Sequence, residues 1–251
     1  MKFGDAEWLN AQYRRTKVDP WGLGWRPTQR YRLALMFRLL REHLPTQDEA
    51  LRIIDVGCAT GDFSQRLSQL NQPAGTNVLG IDIAEEAVAR ARQRHPELQF
   101  ECASMEQAAS RWRQSADCVS CLEVLYYVPP NGREAAVAQL AALLRPQGLI
   151  LVSSMIAHAP YFSMKELLDL ISPRFTVMHS GTIHLRQVGQ LEKLMMRLGI
   201  TGFSGIPGTD DLDVGDPWFQ LMRRADVTCS KLLRGLAASH AIVIARKREG
   251  A

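Results

Sequence analysis

No stretch of this 251-residue chain approaches the ~20 consecutive apolar residues that a membrane-spanning helix requires, so membrane insertion is not expected. The opening residues, MKFGDAEWLN, carry no apolar segment of the secretory kind. Cysteine is scarce, and five is an odd count, which argues against a disulfide framework and for a reduced, cytoplasmic protein. The six histidines show no H-x-x-x-H pairing, so no metal site is expected. Internal repeats and low-complexity segments are also missing, so a repeat architecture is not expected. Excess charge is small: a net +4 permits an anionic ligand without requiring nucleic acid, and no basic recognition module is appended.

What is present is ample apolar residue, 46% against 22% charged, enough to bury one α/β core. Residues 1–30 are irregular and aromatic-rich, with Trp8, Tyr13, Trp21 and Trp25 among Gly, Pro and Arg, as suits a lid over a pocket. Residues 28–44 have helical periodicity with Thr28 as N-cap and Pro45 as stop. Apolar runs at 51–57, 77–83, 98–103, 116–124 and 149–155 read as strands. Helical segments at 62–70, 84–95 and 133–145 alternate with them, the last closed by a turn at Pro146-Gln147-Gly148. Such alternation implies a parallel sheet covered on both faces. Beyond 160, helices are predicted at 165–172, 188–199 (with Gly199 as C-cap) and 217–236, and strands at 175–181 and 239–247. A Gly- and Asp-rich loop fills 202–217. The expected whole is one domain with a doubly wound, mostly parallel seven-stranded sheet. In it, 1–44 form a lid and helix, 51–155 a ligand-binding core, and 156–251 the remaining elements and last strands. Cys118 and Cys121 form a C-x-x-C pair, but inside an apolar strand, where a structural reading is preferred to a redox or zinc one.

The most informative stretch is Asp55-Val56-Gly57-Cys58-Ala59-Thr60-Gly61, an apolar strand entering a glycine-bearing turn before a helix. In open α/β sheets, ligands bind beyond the carboxyl ends of the strands, where this turn lies. The dinucleotide pattern G-x-G-x-x-G is broken by Ala59, and no G-x-x-x-x-G-K-[ST] loop exists, so phosphate-binding machinery is not evident. At the end of the second strand stands Asp82, whose carboxylate can accept hydrogen bonds from ribose hydroxyls. Turn and acid together point to a nucleoside ligand, although an Asp in that place can also merely cap the next helix.

Taken in order, IIDVGCATGDFS, VLGIDI, ADCVSCLEVLYYV and LLRPQGLILV resemble the successive motifs of class I S-adenosylmethionine-dependent methyltransferases. The resemblance implies S-adenosylmethionine as cofactor and S-adenosylhomocysteine as product. It implies that Asp55, Gly57 and Gly61 shape the pocket around the methionine half, that Asp82 holds the ribose, and that Ile83 packs on adenine. It sets Ser104 and Met105 near the adenine amino group, Ser104 replacing the usual Asp, and Glu123 beside the sulfonium and acceptor. DPWGLGWRPTQRYRLALMFRLL and LEVLYYV are similar to the nodulation (chito-oligosaccharide) N-methyltransferase group. That likeness implies that Trp21 covers the cofactor and that Arg30 pairs with its carboxylate.

Methyl transfer from a sulfonium is an in-line displacement that needs alignment and, for a hydroxyl acceptor, a base. Candidate groups are His158, just past the fifth strand, with Glu123 and Tyr126; Tyr127 beside them offers a stacking surface. The expected acceptor is nitrogen or oxygen of a small molecule or saccharide. An RNA or protein methyltransferase, a nucleotide-binding dehydrogenase and a non-catalytic binding module remain alternatives; the sequence leaves the oligomeric state open.

Overall fold

A computed structural model describes residues 2–16, 19–45, 48–70, 72–198 and 217–250. The predicted C-cap Gly199 and nearly all of the Gly/Asp-rich loop at 202–217 lie outside them.

Nine helices and seven strands follow one another among the described residues. Helices α1 (Ala6–Arg14) and α2 (Pro27–His43) precede β1 (Leu51–Val56). Then come α3 (Asp62–Ser68), β2 (Thr76–Asp82), α4 (Glu85–Arg94), β3 (Gln99–Cys102), α5 (Met105–Arg111) and β4 (Ala116–Leu122). The chain continues through α6 (Arg133–Leu143), β5 (Leu144–Met155), α7 (Met164–Ile171), β6 (Phe175–Ile183), α8 (Arg186–Arg197), α9 (Pro217–Leu233) and β7 (His240–Lys247).

The seven strands form one sheet in the order β3-β2-β1-β4-β5-β7-β6. All neighbours pair in parallel except those of β7, which runs antiparallel between β5 and β6. This is the doubly wound sheet that the sequence pattern implied. The order reverses between β1 and β4, which opens a crevice at the carboxyl ends of those strands.

Successive side chains of a strand point to opposite faces, and the core divides accordingly. Ile54, Val56, Val119, Cys121 and Val243 pack with Val137 and Leu140 of α6 and Leu167 of α7. Ile53, Cys118, Leu151 and Ile242 pack on the other side with Leu33, Met36 and Leu40 of α2, Phe63 of α3 and Phe219 of α9. Cys118 and Cys121 are therefore buried thiols on opposite faces of β4, and burial pushes both thiols far up.

Several local expectations are corrected. Residues 6–14, expected to be irregular, form α1, because Asp5 accepts a hydrogen bond from Trp8 N and caps it. Helix α2 starts at Pro27 rather than after Thr28: proline suits the first helical position, and Arg26 is the cap. Helix α5 was not foreseen, although Ser104-Met-Glu-Gln107 forms a capping box. The expected turn at 146–148 lies within β5 as an irregularity: Leu144 pairs with Ala116, the register then shifts, and Gln147 has φ +64.

Candidate cofactor and acceptor site

A cavity of about 620 Å³ opens at the carboxyl ends of β1, β2 and β4, within the ~300–1,000 Å³ usual for ligand pockets. Its floor is the turn after β1. Gly57 has φ +75, and a Cβ there would stand 2.2 Å from Val124 Cγ2, so this position demands glycine. Gly57→Ala is expected to destabilise the fold by roughly 2 kcal/mol, from left-handed strain plus crowding of Val124, as measured by thermal denaturation.

Asp55 is buried beside the turn, and its carboxylate accepts hydrogen bonds from Ser64 Oγ at 2.6 Å and Ser120 Oγ at 2.7 Å. Burial raises its pKa to about 6 despite those two donors. Asp82 also lines the cavity. Its Oδ2 accepts from Ala59 N at 3.0 Å and its Oδ1 from Ala84 N at 2.9 Å. It thereby clamps the β1 turn to the end of β2, while each oxygen keeps a second lone pair for a ligand hydroxyl. Burial shifts its pKa upward.

Ile83, Ala103 and Met105 give an apolar stretch of wall next to Asp82. Ser104 is not on the wall: its hydroxyl accepts from Gln107 N and its own N–H donates to the Gln107 side chain, which commits it to capping α5. Gly61 is likewise off the wall, packed beneath the turn against Phe100 and His95.

From the N-terminal segment, Trp21 and Tyr13 reach the cavity, and Trp21 Nε1 donates to the Tyr13 hydroxyl at 3.2 Å. Tyr31 of α2 packs on Phe219 on the core side and donates to Asp226 at 2.9 Å. Arg30 is not a wall residue; Arg26, Gln29 and Arg32 are, because residues three apart share a helix face. Arg26 is paired with Glu192 of α8, which Thr28 also contacts through its hydroxyl at 2.6 Å. Arg32 is buried, with Nη1 2.7 Å from Glu123 Oε1. Neither its Nε nor its Nη1 makes a hydrogen bond, and Glu123 Oε2 has no partner either.

Glu123 follows β4 at φ +61, fixed by its N–H on Ser153 O at 3.0 Å and by the Ser153 hydroxyl on Oε1 at 2.7 Å. Tyr126 and Tyr127 continue the wall, their ring centroids 4.5 Å apart, and Tyr161 packs edge-on against Tyr126 at 4.9 Å. His158 does not join them: it is exposed beyond β5, outside the cavity. The histidine on the wall is His240, opposite Met155 at the first position of β7. It looked like a plain strand-entry residue in sequence, and only the return of β7 beside β5 brings it to the site. Its pKa is depressed to about 4, chiefly by burial. No group of three or more His, Cys, Asp or Glu side chains suited to a metal occurs among the described residues.

Residues 53–148 match a methyltransferase domain model. The chain is 29% identical over 157 residues to a ubiquinone biosynthesis O-methyltransferase of Aeromonas salmonicida, covering 58% of this chain and 63% of that protein. It is 34% identical over 109 residues to the Bordetella avium protein of the same name, covering 41% of this chain and 42% of that one. The chain thus spans less than two thirds of these relatives' length. In structure it resembles the N-methyltransferase NodS of Bradyrhizobium japonicum WM9, solved with S-adenosyl-L-homocysteine. The TM-score is 0.65 at 16% identity, over 99% of this chain and 100% of that one, a likeness of fold. Residues 53–148 are thus similar to a methyltransferase domain, set in a sheet whose fold resembles that of NodS.

Proposed function

We propose that this chain transfers the methyl group of S-adenosylmethionine to a nitrogen or oxygen of a small molecule. The observation that carries this is the single cavity wall that joins the Gly57 turn and Asp82 to Glu123, Tyr126 and Tyr127. A nucleoside half and an acceptor half thereby share one enclosed space.

The residues present fit the cofactor. Asp82 retains lone pairs for ribose hydroxyls, and Ile83, Ala103 and Met105 offer apolar contact to a purine. The Gly57 cradle, which a Cβ would fill, lets backbone approach the methionine half above Asp55. Arg32, whose buried Nε makes no hydrogen bond, suits a carboxylate, the part assigned in sequence to Arg30. When bound, the cofactor supplies an already activated methyl group. The protein's task is then to align the acceptor and exclude water, and Trp21, Tyr126 and Tyr127 supply an aromatic cover for both.

A small-molecule acceptor is favoured over nucleic acid by the aromatic enclosure and by the want of a basic recognition module in the sequence. The ubiquinone-pathway names of the relatives point the same way. A saccharide acceptor rests on the likeness of the Trp21 and LEVLYYV motifs alone. No helix among the described residues is long and apolar enough to cross a membrane, and a cytoplasmic location is part of this reading.

The test is transfer of labelled methyl into fractionated cell extract, paired with calorimetric titration of S-adenosylhomocysteine. Asp82→Ala is expected to weaken that titration roughly 5- to 150-fold, corresponding to about 1–3 kcal/mol for a lost charged hydrogen-bonding group. Unchanged affinity would remove Asp82 from the site. Label in RNase-sensitive material would replace the small-molecule reading with the RNA one.

A further inference from the structure

We infer that His240 is the base of the site and that the acceptor is a phenolic hydroxyl, whose proton passes to His240 Nε2. The inference rests on the methyl-transfer reading above and selects oxygen over nitrogen within it.

The first argument concerns the tautomer, which the inference assigns from the partners of Ser239. His240 Nδ1 lies 3.0 Å from Ser239 Oγ. That hydroxyl has a single proton, and it donates it to the Ile183 carbonyl at 3.0 Å. A carbonyl can only accept, so Ser239 Oγ has only lone pairs to offer the imidazole. Nδ1 therefore carries the ring proton, and Nε2 keeps its lone pair. Nε2 has no hydrogen-bond partner and is not among the buried polar atoms left unpaired, so on a cavity-wall residue it is open to a ligand. The partners that hold this arrangement belong to rigid elements: Ser239 N also donates to Ile183 O, at 2.7 Å, tying β7 to the end of β6.

The second argument concerns the charges around the ring. Glu123, at the end of β4, favours the imidazolium, while Arg26 and Arg32 of α2 and Arg186 of α8 oppose it. Lys193 of α8 also faces the cavity. With burial added, the imidazole stays neutral at pH 7 and is a weak base. A hydroxyl as weakly acidic as water, near pKa 15.7, is out of its reach. A phenol, near 10 as in tyrosine, is almost six powers of ten closer. The walls agree: Tyr126, Tyr127, Tyr161 and Trp21 all line the cavity, a lining suited to a flat aromatic acceptor.

The step balances. The phenol O–H bond breaks and its proton goes to Nε2. The oxygen pair forms the new O–CH3 bond, and the S–CH3 bond breaks with its electron pair left on sulfur as a neutral thioether. The imidazolium, facing Glu123, then releases the proton to solvent.

The experiment uses the whole chain with labelled S-adenosylmethionine and three probes: catechol, 4-nitrophenol and benzylamine. His240→Gln is one variant. His240→Asn is the second, since its amide can keep a donor toward Ser239 while removing the Nε2 lone pair. Both are checked by thermal melting and by titration with S-adenosylhomocysteine. Expected are cofactor-product affinities within about threefold of the parent, methyl transfer to a phenol reduced roughly 10²-fold or more, and loss of the acid limb of the kcat profile. Nitrogen-15 NMR of the parent is expected to show the ring proton on Nδ1 at neutral pH. Transfer by folded variants within threefold of the parent, or a proton on Nε2, overturns the inference. A parent that binds S-adenosylhomocysteine yet methylates only benzylamine, or no probe, also overturns it and leaves the methyltransferase reading standing. A parent that does not bind S-adenosylhomocysteine removes that reading and the inference with it.

Discussion

Arg32→Met is expected to cost about 3–5 kcal/mol of stability, the scale for breaking a buried ion pair from one side. Arg32 is 3% exposed, and its guanidinium is the cation that meets the Glu123 carboxylate, at 2.7 Å. Methionine fills similar volume, so lost packing contributes little. The cost comes from Glu123, left as an anion in a cavity wall with Ser153 as its remaining donor and Oε2 bare. Removing both charges together, as Arg32→Met with Glu123→Gln, is expected to recover more than half of the loss, because the desolvation of both groups is relieved. Chemical denaturation of the parent, the two single variants and the double variant measures this. In a chain of this size the single change lowers Tm by roughly 6–20 °C. A cost below about 1 kcal/mol, or simple additivity, would mean that solvent already screens the pair.

The second large effect is a pair of opposed pH dependences in one window. Asp55 is held near 6, above the ordinary carboxyl value, so the folded state binds its proton more tightly than the unfolded state. Its contribution to stability is fully present below pH 4 and falls as pH rises through 6, by about 3 kcal/mol at 1.36 kcal/mol per pKa unit. His240 runs the other way. Its pKa is depressed to about 4, so its contribution is present above the ordinary imidazole value of 6.5. That contribution is lost as pH falls toward 4, again by about 3 kcal/mol. Between pH 4 and 6 the two slopes cancel, and single variants expose them. Relative to the parent, His240→Gln gains stability as pH falls from 6.5 to 4. Asp55→Asn gains as pH rises from 4 to 6, whatever fixed cost comes from Ser64 and Ser120 losing their carboxylate. Urea denaturation at half-unit pH steps reads both differences. Parallel curves for variant and parent would show that neither group titrates abnormally.

The site was legible in sequence where its residues are contiguous with the strand ends that carry it. Asp55, Gly57, Asp82, Ile83 and Glu123 each end or follow an apolar run, and all reach the cavity, as does Met105. Ser104 was placed by analogy with an acid, but a serine three residues before glutamine forms a capping box, and the local hydrogen bonds prevailed. Arg30 missed the wall by helical phase alone. With α2 in place, Arg26, Gln29 and Arg32, three residues apart, face the cavity, and Arg30, one position on from Gln29, does not. His158 was chosen for its nearness to a strand end, yet the segment after β5 leaves it exposed.

The sequence by itself determined the alternation of strands and helices from β1 to β5, α5 apart, the doubly wound sheet and the Gly57–Asp82 part of the cavity. Those features depend on periodicity, turn residues and short-range capping, which act over a few residues. Tertiary structure alone decided which residues line the rest of the cavity. His240 lies 85 residues beyond the fifth-strand residue it pairs with, Met155, and Glu192 is 166 residues from Arg26. Such pairings arise from the antiparallel return of β7 and the packing of α8 on α2, which no local pattern encodes. The physical reason is that the burial and charge pairing that set the Arg32–Glu123 contact and depress the His240 pKa exist only once distant segments share one desolvated space.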